Sequence, residues 1–238
     1  MHITREEIIR LRKRHRGYQI TLATQVALLL LLLPVAQAQI WLLAFLLILL
    51  ALVLMVFVSR YSPLRKTRPL IYGLGGLAIA LELIWHLSLN LWPAVGRALT
   101  IPHVIVWLVF LSLAVLRKVK TLTREPFVTV SVVMGAASGY LLVGMAGGLL
   151  LTALWVLDPA AFDLASLPAV GSTAALPNVS VAPALMAASF TMLTTIGTTV
   201  LKTSHVGGQV VTTVITVVGQ LYVAILIALI LGRFRWRT

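Results

Sequence analysis

Between Arg16 and Arg60 the chain carries no charged side chain, and the same holds from Pro126 to Leu157 and from Thr203 to Gly232, with His205 neutral. Uncharged apolar runs of about twenty residues or more are what a helix needs to cross the ~30 Å hydrocarbon layer. Inside that layer no water meets the backbone, so N–H and C=O groups must pair within the segment, which favours helices. The composition agrees. With 60% hydrophobic residues and a mean hydropathy of +1.04 over 238 residues, no soluble domain of useful size is left. The expected fold class is therefore an all-α membrane protein embedded in a lipid bilayer. The absence of cysteine excludes disulfides and thiolate metal sites. The net charge of +13 would suit nucleic acid, but the basic residues follow the ends of apolar segments and no nucleic-acid motif accompanies them.

Six spans are expected: Ile20–Ala38, Ile40–Ser59, Leu70–Trp92, Ile101–Leu116, Phe127–Leu157 and Val206–Gly232. Met1–Gly17 reads as a basic lead-in, with Thr4-Arg-Glu-Glu7 as a capping box opening a short interfacial helix. Its basic front and the Ala36-Gln-Ala38 end of the next segment also suit a signal peptide. An uncleaved helix is the reading taken. Of the 19 Lys and Arg, only Arg97 and Lys202 fall in outer loops under this scheme. The positive-inside rule then places both termini in the cytoplasm of a multi-pass cell-membrane protein. The division expected is 1–17 as a cytoplasmic segment, 18–125 as a four-helix transmembrane domain and 126–238 as a second transmembrane unit.

One apolar segment is too short to span. Pro183–Leu193 would reach about 16 Å as a helix, and Pro183 suits a first helical turn. It runs into Thr194-Thr195-Ile196-Gly197-Thr198-Thr199 with no charge nearby, so it should enter the bilayer and return.

The run Ser189-Phe-Thr-Met-Leu-Thr-Thr-Ile-Gly197 resembles the pore helix and start of the selectivity filter in the potassium-channel pore-loop superfamily. Gly219-Gln220-Leu-Tyr-Val-Ala224 and Gly232 are similar to that superfamily's inner helix, and the spacing from Gly197 to Gly219 needs no gap. The resemblance implies a homotetramer, with a re-entrant pore helix and filter loop between helices five and six. It makes 126–238 the pore domain and Gly219 and Gln220 part of the gating helix. Backbone carbonyls of Thr195, Ile196 and Gly197 would hold K⁺ or Na⁺ as permeant ions, with no other cofactor. Where the family has Tyr-Gly-Asp, this chain has Thr198-Thr199-Val200, and a β-branched Thr199 resists the positive φ of the second glycine. Thr-Thr-Ile-Gly-Thr-Thr is also close to the filter of cyclic-nucleotide-gated channels, which implies weak discrimination among monovalent cations.

The fourth segment lacks the repeated arginines of a voltage sensor. The third carries Glu82, His86 and Asn90 at spacings of four, stacked on one helical face. An ionisable group at that depth is a functional candidate, and a protonated Glu82 bonded to His86 is the structural alternative. Two other readings stand beside the channel. One is a channel-like subunit that does not conduct. The other is a rhomboid-like intramembrane serine protease, suggested by His86-xxx-Asn90, Gly135-Ala-Ala-Ser138-Gly139 and Ser204-His205-Val-Gly207-Gly208. Its serine motif carries an extra residue, and the helix directions oppose those of that family, so no enzymatic activity is expected.

Overall fold

The computed structural model describes residues 5–37, 40–61, 68–123, 129–164, 181–194, 201–203 and 205–234. Among them run seven α-helices: α1 Arg5–Gln37, α2 Ile40–Tyr61, α3 Arg68–Leu91, α4 Pro93–Leu122, α5 Val130–Leu157, α6 Ala182–Leu193 and α7 Val206–Phe234. Four of these, α3, α4, α5 and the Val206–Ala228 part of α7, are long and apolar enough to cross a membrane. The molecule is thus an all-helical protein of membrane type.

Three helix boundaries differ from expectation by several residues. The basic lead-in and the first apolar segment form one continuous helix, so the division at residue 17 falls inside α1. The fourth helix starts at Pro93 rather than Ile101, one residue after α3 ends, and continues to Leu122. Proline at the first helical position has no N–H to leave unpaired, so α4 can open immediately after the turn at Trp92. At its other end, Arg117 and Lys118 are not in a loop. Both are buried within α4, at 5% and 2% exposure.

In hydrocarbon, apolar side chains gain little by leaving their surroundings, so close packing decides which helices meet. Helix α5 packs against α1, α4, α6 and α7. Its glycines make the approach possible. A Cβ at Gly148 would lie 2.7 Å from the Met186 Cα on α6. Gly135 meets Tyr18 of α1, and Gly139 leaves room for the Tyr222 hydroxyl, which donates to the Ala136 carbonyl at 2.9 Å. These are packing glycines, spaced so that different neighbours use successive ones. On the α4 side Trp107, Phe110 and Leu111 are fully buried, with the Trp107 and Phe110 rings edge to face at 5.9 Å.

Candidate functional site

Helix α6 is the expected short apolar helix, starting one residue earlier, with Pro183 in its first turn. Nine of its twelve residues are buried. It runs antiparallel to α5, since Met186 meets Gly148, the Ser189 hydroxyl donates to the Gly144 carbonyl at 2.5 Å, and Tyr140 reaches Leu193. Tyr140 lies ten residues into α5, about 15 Å along its axis. The last turn of α6 is therefore well inside the length of α5.

The end of α6 is held from two sides. The Leu193 carbonyl accepts from the Tyr140 hydroxyl at 2.8 Å and from Gln220 Nε2 at 3.3 Å. Gly219 of α7 backs onto the same residue, where a Cβ would stand 3.3 Å from Leu193 Cα. Both expected inner-helix positions, Gly219 and Gln220, thus meet the residue just before the threonine run. Thr194 is exposed and its hydroxyl turns back to the Thr191 carbonyl at 2.9 Å. Thr195, Ile196, Gly197, Thr198 and Thr199 lie outside the described residues. Where the chain is next described, Lys202 pairs with Asp163 in an isolated antiparallel bridge and the Thr203 hydroxyl donates to Ala161 at 2.7 Å. Those partners follow the far end of α5.

A second constellation lies between α3 and α4. Glu82, His86 and His103 are buried together, with Glu82 Oε2 at 2.7 Å from His103 Nε2 and Glu82 Oε1 at 3.3 Å from His86 Nδ1. The Trp85 ring stacks on His103 with centroids 4.6 Å apart and donates its N–H to Thr100 at 2.9 Å. Asn90 does not belong to this group. It is exposed, and its amide donates to the His86 carbonyl at 2.9 Å, back along its own helix. His103 is the member that sequence spacing alone did not find. The available signal was an ionisable side chain inside an apolar segment.

A third polar group joins three helices nearer the start of α5. Lys118 Nζ donates to Ser138 Oγ and to Thr21 Oγ1 (3.3 Å), and Ser138 donates to Gln25 Oε1 at 2.5 Å. The Phe57 ring lies 5.4 Å from the ammonium. Ser138 is therefore not paired with His205, which sits at the opposite end of α5 beside Asp158 Oδ2, 3.3 Å away. The residues of the protease reading are not brought together. Set against family models, curated proteins and solved structures, the chain finds no match in any of the three comparisons.

Proposed function

We propose that this protein is a pore-loop ion channel, a homotetramer that passes monovalent cations with weak selectivity between K⁺ and Na⁺. The observation that carries the reading is the grip of α5 and α7 on Leu193. A pore loop needs its helix to end inside the bilayer, held between an outer and an inner helix, with the next residues free to present carbonyls to an axis. Tyr140 from α5 and Gln220 and Gly219 from α7 meet the last residue before Thr194–Thr199. The chain goes inward along α5 through Leu193, and Lys202 is next found beside Asp163. That path supports a re-entrant segment.

On this reading α5 is the outer helix, α6 the pore helix and α7 the inner helix, each chain giving one quarter of a filter. Six spans with both termini cytoplasmic complete the topology in the cell membrane. The exposed apolar side chains of α7, among them Val210, Val214, Val217 and Leu221, suit a helix surrounded by lipid and by other copies. Glycine at 219 suits close approach at the foot of the pore helix.

The test is ion flux into lipid vesicles carrying the purified protein, with the oligomer measured in the same preparation. Comparable K⁺ and Na⁺ uptake by a tetramer is expected. Strong exclusion of Na⁺ would overturn the selectivity, and an intact tetramer that passes neither ion would overturn conduction.

A further inference from the structure

Glu82, His86 and His103 are 0%, 1% and 1% exposed. With Glu82 ionised, the contacts fix the ring hydrogens. His103 Nε2 lies 2.7 Å from a carboxylate oxygen and donates to it. His86 Nδ1 lies 3.3 Å from the Glu82 main-chain oxygen, which only accepts, so it too carries a hydrogen, while Glu82 Oε1 at the same distance makes no hydrogen bond. What remains on the rings is the lone pair of His86 Nε2 and that of His103 Nδ1. Both atoms are buried without a partner, and so is Glu82 Oε1. Drawn this way the cluster holds one net negative charge and three unpaired acceptor atoms. A buried carboxylate is costly unless it is neutralised or fully hydrogen-bonded. The cluster therefore lacks a proton. It also borders a small cavity of ≈ 10 Å³, close to the roughly 10–15 Å³ that one water molecule needs.

We propose that Glu82, His86 and His103 form an intramembrane proton-binding site, completed by one proton and one water, whose charge acts on the start of α6. A proton from water taken by His103 Nδ1 gives a neutral imidazolium–carboxylate pair. A second, taken by His86 Nε2, makes the cluster cationic. Imidazole is the side chain whose charge changes between about pH 5 and 8. Among the described residues, no other titratable group lines the cavity. The walls supplied by α2, α5 and α6, among them Leu43, Leu47, Thr152, Ala182 and Met186, carry no titratable group, and α4 adds none besides His103.

The link to α6 is its first turn. Ala182 lines the same cavity as the cluster, and Val181 before it gives no side-chain cap, so the positive end of the α6 dipole, with the N–H groups of Ala182 and Ala184 and none from Pro183, opens near the site. A neutral cluster is compatible with that end, whereas a cationic one repels it. The site thus offers acid a means of loosening the helix that meets α5 and α7 at Leu193.

Imidazole nitrogen NMR on the full-length protein in lipid nanodiscs tests this without reference to ion flux, so it can fail while the channel reading stands, or the reverse. His86→Gln and His103→Gln variants assign the two signals. One ring carrying both hydrogens beside the Glu82 carboxylate is expected, a state that imidazole nitrogen shifts distinguish from a neutral ring. In Glu82→Gln, which removes the carboxylate, that signal is expected to be lost. Two rings that stay neutral at every pH overturn the site, and so does a Glu82→Gln spectrum matching the wild type. The wild-type spectrum decides on its own if that variant does not fold. Amide exchange at Ala184 and Leu185, corrected for its intrinsic pH dependence, is expected to quicken at acid pH, and unchanged rates overturn the link to α6.

Discussion

Tyr140 donates its hydroxyl to the main-chain carbonyl of Leu193 at 2.8 Å, across 53 residues of sequence. Gln220 reaches the same oxygen from α7 at 3.3 Å. A carbonyl has two lone pairs, so the two donors share it without competing. Removing one leaves the other in place, and Tyr140→Phe or Gln220→Leu alone should each destabilise the fold by about 1 kcal/mol. Removing both strands a carbonyl inside the bundle. The double variant should therefore lose more than the sum, with a coupling of about 0.5–3 kcal/mol in a double-mutant cycle of denaturant unfolding. Strict additivity would mean the two donors do not act on one group.

Glycine substitutions separate close approach from simple helix propensity. Gly148→Ala places a methyl 2.7 Å from the Met186 Cα, a backbone atom that cannot rotate away. It should destabilise by about 1–3 kcal/mol, as overpacking does. Gly73 meets nothing within 4 Å, so Gly73→Ala should be neutral or stabilising by up to about 1 kcal/mol through helix propensity. Thermal unfolding of the two variants in the same detergent decides the comparison. Equal shifts would mean that α6 does not lie against α5 at Gly148.

The Lys118 network predicts an asymmetry between its members. Ser138→Ala removes one of two hydroxyl acceptors from a buried lysine and leaves Gln25 Oε1 without its donor. A loss of about 1–3 kcal/mol is expected. Lys118→Met keeps the volume, removes a buried cation and leaves the Ser138–Gln25 bond intact, so its effect should stay within about 1 kcal/mol of wild type. Denaturant unfolding of both variants checks the order, which would reverse if the lysine were the organising member.

Ser138 should also resist covalent labelling. It is fully buried and hydrogen-bonded to Gln25 rather than to an imidazole. A fluorophosphonate probe applied to the folded protein is expected to leave it unmodified. Labelling that disappears in Ser138→Ala would bring the protease reading back.

Much of this architecture was legible because hydrocarbon imposes so few solutions. The charge-free segments appear as helices, and α6 keeps its expected end because Leu193 is the last apolar residue before the threonine run. Charge marks where an apolar run stops, not where a helix stops. The fourth run reads as ending at Leu116, yet α4 continues to Leu122 and packs Lys118 against Ser138 and Thr21. Spacing alone stacked Asn90 with Glu82 and His86 on one face. Its short amide meets the His86 main-chain carbonyl and not the imidazole, while the carboxylate of Glu82 meets a residue 21 positions away. Such a pairing depends on how α3 and α4 fold back at Trp92, which no periodicity within one segment records.

Helix α5 is touched along its length by four others, whereas α7 presents a broad apolar face to its surroundings. Tolerance to substitution should follow the same contrast. Along α5 nearly every side chain answers to a neighbour and few replacements would be silent. Along α7, Val210, Val214, Val217 and Leu221 are about half exposed in the single chain, so a map of permitted residues there records in part whatever adjoins the protein in the membrane. A face that accepts any apolar residue borders lipid, and a face that demands particular shapes borders protein.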